Sequence, residues 1–115
     1  MSHKVMHFEI HGRDGKRLQE FYASLFDWKV DANNPMKYGM VTGEPPGIAG
    51  GITESPQTLV TIYVTADDLG AALKKAERLG GKTVMQPSKV PNGPEIAQFS
   101  DPEGNVIGLM KPEPM

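Results

Sequence analysis

Cysteine is absent from the 115-residue chain. Disulfides, thiolate metal sites, cysteine-held iron–sulfur clusters and cysteine nucleophiles are thereby excluded. Redox compartment stays open, because a chain without thiols folds in either environment. Neither sign of charge prevails: 12 Lys and Arg stand against 14 Asp and Glu, a formal net charge of -2, so the balance suggests no basic groove for nucleic acid. Long apolar runs are also missing, and the start lacks the basic, apolar, small-residue order of a signal peptide. No membrane partner and a cytoplasmic location are therefore expected. A Gly-x-Ser-x-Gly elbow is missing, and Ser24, Ser55, Ser88 and Ser100 have no evident histidine partner, which argues against covalent hydrolysis. The run from Gly47 to Gly51 matches neither a dinucleotide nor a Walker phosphate loop.

What is present reads as one folded domain, with 38% hydrophobic and 23% charged residues. From Lys4 to His11, Met6, Phe8 and Ile10 alternate with His7, Glu9 and His11, the pattern of a half-buried strand. Asp14 is placed to cap a helix whose apolar stripe is Leu18, Phe21, Tyr22 and Leu25, with Lys16, Arg17, Gln19 and Glu20 outside. Phe26, Trp28 and Val30 resume the two-residue period, Asn33-Asn34-Pro35 makes a turn, and Lys37 to Val41 is a short strand. Gly43 to Pro46 turns into a strand at Ile48 to Ile52. Thr58 to Thr65 is a further strand, Asp67 or Asp68 caps a second helix with stripe Leu69, Ala72, Leu73 and Ala76 closed by Leu79, and Gly80-Gly81 stops it. Thr83 to Met85 starts another strand, Pro87 to Pro94 is a long loop, and Glu95 to Phe99 follows. Asp101 to Asn105 makes a hairpin into Val106 to Met110. The stretch from Lys89 to Glu95, pliable at Asn92-Gly93, is a candidate lid.

The same events occur twice. His7 falls on Thr61, Asp14 on Asp68, Leu25 on Leu79 and Val30 on Val84, all at a separation of 54 residues, and Gly51 falls on Gly108 after small loop differences. The expected fold is α+β: two tandem βαβββ modules, about 4–53 and 58–112, within one domain, forming curled sheets around a cup with helices outside. His7, Glu9, Thr61, Tyr63, Gly51 and Gly108 would line that cup, joined by Met40, Met110 and Gln98. A small organic ligand is the partner such a cup implies, and a homodimer would complete its wall.

These features resemble the vicinal oxygen chelate superfamily, which includes glyoxalases, bleomycin and fosfomycin resistance proteins, extradiol dioxygenases and methylmalonyl-CoA epimerase. The segments that carry the likeness are the first strand with His7, Phe21-Tyr22, Leu25-Phe26-Asp27-Trp28 and Gly47-Ile48-Ala49-Gly50-Gly51-Ile52. Val64 to Leu69, Leu79-Gly80-Gly81 and Phe99 to Asn105 complete it, so it runs from about Lys4 to Met110. Metal-using members place His, Glu or Asp at four inward positions. By position, His7 matches the first, whereas Gly51, Thr61 and Gly108 stand at the other three and supply neither imidazole nor carboxylate. The resemblance therefore implies a fold without the usual metal centre, and no cofactor is expected.

His7, Glu9 and His11 form a His-x-Glu-x-His row, but its first and third members stand roughly 13 Å apart along a strand. A substitute metal set would need a further ligand, with Glu95 or Glu44 as chemical candidates. Without metal, His7 and Glu9 are the candidate catalytic pair, because a histidine titrates near neutrality and a carboxylate can orient or charge it. The bland reading of the pair is a polar contact within the sheet. Tyr38 and Tyr63 offer hydroxyls and ring surface to a ligand or simply complete the sheet face, and Trp28 belongs to core or dimer contact rather than to a pocket wall. Candidate ligand contacts are thus Tyr38, Met40, Gly51, Thr61, Tyr63, Gln98 and Gly108. Three functions follow: a metal-free small-molecule binder akin to bleomycin resistance proteins; a lyase, isomerase or dioxygenase-type enzyme with a non-standard metal set or His7/Glu9 acid–base chemistry; and a non-catalytic structural or regulatory dimer.

Overall fold

In a computed structural model, which describes residues 3–91 and 93–112, the chain folds as β1 (Val5–Gly12), α1 (Gly15–Phe26), β2 (Val30–Asp31), β3 (Gly39–Val41), β4 (Ala49–Glu54), β5 (Leu59–Thr65), α2 (Leu69–Arg78), β6 (Lys82–Lys89), β7 (Glu95–Ser100) and β8 (Val106–Met110). It is an α+β fold with two helices and a mixed sheet in the order β2-β3-β4-β1-β5-β8-β7-β6. The expectation of curled sheets around a cup is corrected here. The order ends on β2 and β6, and the sheet is neither closed nor curled into a cup. At Gly51 and Gly108, both expected to line the cup, tyrosine rings fill the space.

Contacts divide the chain into two units, Met6–Thr61 and the remainder, which comprises the residues up to Val5 and from Ile62 onward. In the Met6–Thr61 unit, β1 runs parallel to β4, β4 antiparallel to β3, and β3 antiparallel to β2. Asp14 caps α1 by accepting from the Arg17 amide, which satisfies a donor that the first helical turn leaves without a partner. The helix continues through Phe26, because Asp27 takes the left-handed conformation (φ 57°) and ends it there. Phe26 is thus the last helical residue, not the first of a strand. Its ring lies 5.1 Å from Trp28, which also meets Tyr22 at 5.8 Å and Phe8 at 5.5 Å. Trp28 accordingly packs within this unit, as its core reading required. The stripe of α1 is less covered than its period suggests, since Phe21 and Leu25 are each 56% exposed. Gln19, expected outside, is half-buried and donates to the carbonyls of Ile52 (2.8 Å) and Lys37 (3.2 Å), tying α1 to β4 and to the segment before β3.

The other unit repeats the pairing: β5 parallel to β8, β8 antiparallel to β7, β7 antiparallel to β6. Asp68 caps α2 by accepting from the Ala71 amide, and Gly80 leaves the helix at φ 101°. Leu69 and Leu73 of α2 are buried against Ala66, Ala97 and Leu109, the core of this unit. Leu79, which the period placed at the end of the stripe, is 70% exposed. Asp101 holds the β7–β8 hairpin by accepting from the amides of Glu103 and Asn105 and from the Asn105 side chain. The long loop expected from Pro87 is mostly strand, since β6 runs to Lys89. Proline is tolerated there because β6 is the last strand of the sheet and its outer side has no ladder partner. What remains between β6 and β7 is a tight turn in which the Val90 amide donates to Pro94 and the Gly93 amide to Val90. Asn92, the proposed pliable point of the candidate lid, lies outside the described residues.

Candidate functional site

In the Met6–Thr61 unit, alternation along β1 puts His7, Glu9 and His11 on one face, all half-buried. The hydroxyl of Tyr38 joins two of them. It donates to Glu9 Oε2 at 2.8 Å and lies 2.8 Å from His7 Nε2. His11 Nε2 donates to the other Glu9 oxygen, Oε1, also at 2.8 Å. His7, Tyr38, Glu9 and His11 therefore form one continuous hydrogen-bonded chain. Sequence spacing brings the strand residues onto a common face, but it does not show that a tyrosine from a loop would connect them.

Asn34 is what sets that tyrosine. Its side chain accepts from the Tyr38 amide at 2.9 Å and donates to the Tyr38 carbonyl at 2.8 Å, holding the backbone from both sides. Sequence reasoning saw Asn34 only as a turn residue. The signal was its placement before Pro35, since asparagine side chains in turns commonly bond a nearby backbone. The Tyr38 ring then lies over Gly51, which β1–β4 register sets opposite Glu9. A Cβ on Gly51 would stand only 1.8 Å from the Tyr38 hydroxyl, so glycine is required by the ring and opens no cavity. Met40 is paired with Gly51 on β3 and is 57% exposed. Thr61, the third expected ligand position, is 4% exposed on β5.

Burial holds the imidazole of His7 below the usual histidine range, because a charged ring loses hydration there; the negative charge of Glu9 opposes this and does not cancel it. The ring is therefore neutral at pH 7. A tyrosine hydroxyl has one proton, and here it goes to the Glu9 carboxylate.

The unit from Ile62 onward carries a comparable pair. Tyr63, 4% exposed, lies over Gly108, where a Cβ would be 2.4 Å from its ring, and its hydroxyl accepts from Gln98 Nε2 at 3.3 Å. Register places both Tyr63 on β5 and Gln98 on β7 opposite Gly108 of β8. Three of the candidate ligand residues, Tyr63, Gln98 and Gly108, are thus neighbours. Met110 lies two residues further along β8. The same unit has a concavity of about 640 Å³ along α2, lined by Val64, Ala72, Ala76, Leu79, Phe99 and Leu109 among others. None of the candidate site residues borders it.

The four-ligand metal centre of the superfamily's metal-using members does not fit these residues, as the resemblance itself implied. Gly51 and Gly108 carry no donor, and a tyrosine ring takes the volume a ligating side chain would use. Among the described residues, no group of three or more histidines, aspartates or glutamates is placed to hold an ion. Glu44 and Glu95, the substitute candidates, do not join the cluster in any such group. No described helix is long and apolar enough to cross a membrane.

The chain is 26% identical over 117 residues to a glyoxylase-like domain-containing protein of Didymella fabae, covering 92% of this chain and 91% of the other. It is also 33% identical over 69 residues to the glyoxylase-type protein CFP32 of Mycobacterium tuberculosis (strain CDC 1551 / Oshkosh), a match that covers 56% of this chain but only 26% of the mycobacterial one. The chain thus matches about a quarter of the length of that relative. Among solved structures it is similar to methylmalonyl-CoA epimerase from Mycobacterium tuberculosis, with TM-score 0.70, 13% identity, and coverage of 96% and 88%. It is similar too to the 2,2',3-trihydroxybiphenyl 1,2-dioxygenase of Sphingomonas wittichii strain RW1, with TM-score 0.67, 16% identity, and coverage of 100% and 42%. At those identities the structural likeness concerns the fold alone. The family description "Glyoxalase-like domain" matches residues 7–110, so the chain belongs to the glyoxalase-like family of the vicinal oxygen chelate superfamily.

Proposed function

We propose that this chain binds a small organic molecule without a resident metal, and that the His7–Tyr38–Glu9 cluster is its recognition site. The observation that carries the reading is the Tyr38 hydroxyl, which bridges His7 and Glu9 while its ring occupies the volume beside Gly51. A protein that keeps a half-buried imidazole, a phenol and a carboxylate in mutual contact has a built polar surface, of the kind that orients a ligand by a few hydrogen bonds. Met40 and Thr61 in the same unit, and Tyr63, Gln98 and Gly108 in the other, are further candidate contacts. We assign no reaction to the binding reading.

A second reading is an isomerase or lyase in which His7 and Glu9 move protons. It is favoured by the neutral state of His7 together with an adjacent carboxylate, the combination a general base needs. Both readings face the same first test. Equilibrium dialysis of tag-free protein against nickel, zinc, manganese and ferrous ions, with His7→Ala as control, should give weak binding unchanged by the substitution. Stoichiometric binding at micromolar concentration or tighter that disappears in His7→Ala would refute the metal-free site. A small-molecule screen then separates the two: a bound compound recovered unchanged supports binding alone, and solvent deuterium incorporation into it supports proton transfer.

A further inference from the structure

We propose that the exposed flank of α1 docks into the concavity along α2 of a second copy of this chain, and that the contact, made once in each direction, closes a homodimer. The internal repeat carries the inference. At the separation of 54 residues, Arg17, Leu18 and Tyr22 of α1 correspond to Ala71, Ala72 and Ala76 of α2, so three large side chains stand where the second helix has three methyl groups. Shortening them hollows the flank of α2: the concavity of about 640 Å³ is bordered by all three alanines, with Leu79 and Phe99 beside them. The matching flank of α1 is raised instead. Arg17, Phe21 and Leu25 recur every four residues along it, and Phe21 and Leu25 are each 56% exposed although the helical period marks them for burial.

Charge fits the same pairing. Asp67 and Asp68 border the concavity where α2 begins, and Asp101 borders it near the helix end, next to Pro102, which a Cβ on Gly80 would meet at 3.6 Å. Arg17 stands with Arg13 and Lys16 around the start of α1. With carboxylates near both ends, the Arg17 guanidinium meets one whichever way α1 runs. Lys75, midway along α2, presents its aliphatic stem to an apolar partner. Area decides between one contact and two. A half-exposed phenylalanine offers about 100 Å², and with Leu25 and the stem of Arg17 the flank offers about 300 Å². Matched by the concavity, a single docking covers about 600 Å², short of the roughly 1,000 Å² that a specific interface needs, whereas docking in both directions reaches about 1,200 Å². A contact made in one direction only would leave a flank and a concavity open on the outermost copies and continue as a chain of molecules. None of these residues is among the candidate ligand contacts, so the inference is independent of the proposed binding.

The test uses the full chain. Sedimentation equilibrium should give a dimer at micromolar concentration; a monomer up to about 100 μM, or a series of higher oligomers, overturns the proposal. Phe21→Ala should weaken the dimer at least about 30-fold, the mark of a hot-spot side chain. Ala71→Arg gives α2 the residue that the corresponding position already carries on α1, and it should weaken the dimer by a similar factor, because the new side chain fills the concavity and repels Arg17. Both positions are exposed, and an unchanged circular dichroism spectrum shows that each variant has kept its fold. A dimer as tight as the unsubstituted one in either folded variant overturns the interface. The absence of cysteine gives a second readout that does not depend on weakening the dimer. Phe21→Cys protein mixed with Ala76→Cys protein, treated with a short thiol-reactive cross-linker, should give linked dimers faster than either protein alone, and such a link can only join two different chains. Linking no faster in the mixture than in the two controls, or linking that requires both cysteines on one chain, overturns the pairing of α1 with α2 of a second copy.

Discussion

Replacing Gly51 by alanine tests the packing of the cluster most directly, because the added atom has one identifiable obstacle. The new Cβ would lie 1.8 Å from the Tyr38 hydroxyl oxygen and 1.9 Å from the ring carbon that bears it. Backbone conformation raises no objection, since Gly51 is not among the positive-φ glycines and sits in regular β4 pairing. In open space, alanine would cost nothing and gain slightly in a strand. Here the phenol must leave, and with it go its bonds to Glu9 and His7. A phenol that leaves gives up about 1 kcal/mol for the bond to His7 and about 1.5–3 kcal/mol for the bond to the carboxylate, and one that stays meets overpacking of about 1–3 kcal/mol instead. The expected destabilisation is therefore about 3 kcal/mol. The same change made in a Tyr38→Ala background meets no ring and should cost less than about 0.5 kcal/mol, leaving a coupling energy of about 2–3 kcal/mol between the two positions. Urea unfolding followed by the fluorescence of Trp28, the chain's one tryptophan, measures all four corners of the cycle. Additive costs, with coupling below about 0.5 kcal/mol, would refute the claim that the ring and the glycine specify each other.

Other outcomes can be checked with the same preparations. Gly108→Ala drives a Cβ to 2.4 Å from the buried Tyr63 ring and should cost about 1–3 kcal/mol by urea unfolding, a loss relieved in Tyr63→Ala. Asp68→Ala removes the acceptor for the Ala71 amide and should lower stability by about 1 kcal/mol, whereas Asp68→Asn should recover most of it. His7 is held below its ordinary value of 6.5, so the unfolded chain takes up its proton first as pH falls. Stability should therefore decline from about pH 6.5 down to the lowered value and level off below it, with that part of the slope absent in His7→Gln; a melting profile identical in the two proteins between about pH 8 and pH 5 would contradict the burial argument.

Both helix starts were legible in the sequence because a cap is a local event. Asp14 and Asp68 need only their own next turn to accept from, and the structure has both bonds. Strand alternation around His7 and Glu9 was legible for a similar reason, since successive side chains must point to opposite faces. Where tertiary placement decided the outcome, local pattern fell short. Phe26 followed the helix because Asp27 accepted a left-handed turn, and Pro87 stayed in a strand because β6 is an edge. The apolar stripe put Phe21, Leu25 and Leu79 inward, yet all three exceed half exposure. Helical period specifies which residues share a face; it does not specify how much of that face another element covers.

The cup illustrates a further limit of pattern reasoning. A glycine in a strand announces that something comes close, but not what comes close. Gly51 and Gly108 were both counted among the candidate ligand contacts, and in each unit the visitor is the chain's own tyrosine. Tyr63 is one strand away from its glycine and directly opposite it in register, so that approach was in principle readable from strand pairing. Tyr38 comes from a loop and is set by Asn34, a contact that no periodicity encodes. The two sites therefore share a filled glycine but differ in chemistry. Tyr63 accepts from the neutral amide of Gln98, whereas Tyr38 links an imidazole to a carboxylate. Of the two, the Tyr38 cluster is the one in which an imidazole and a carboxylate meet through a shared hydroxyl.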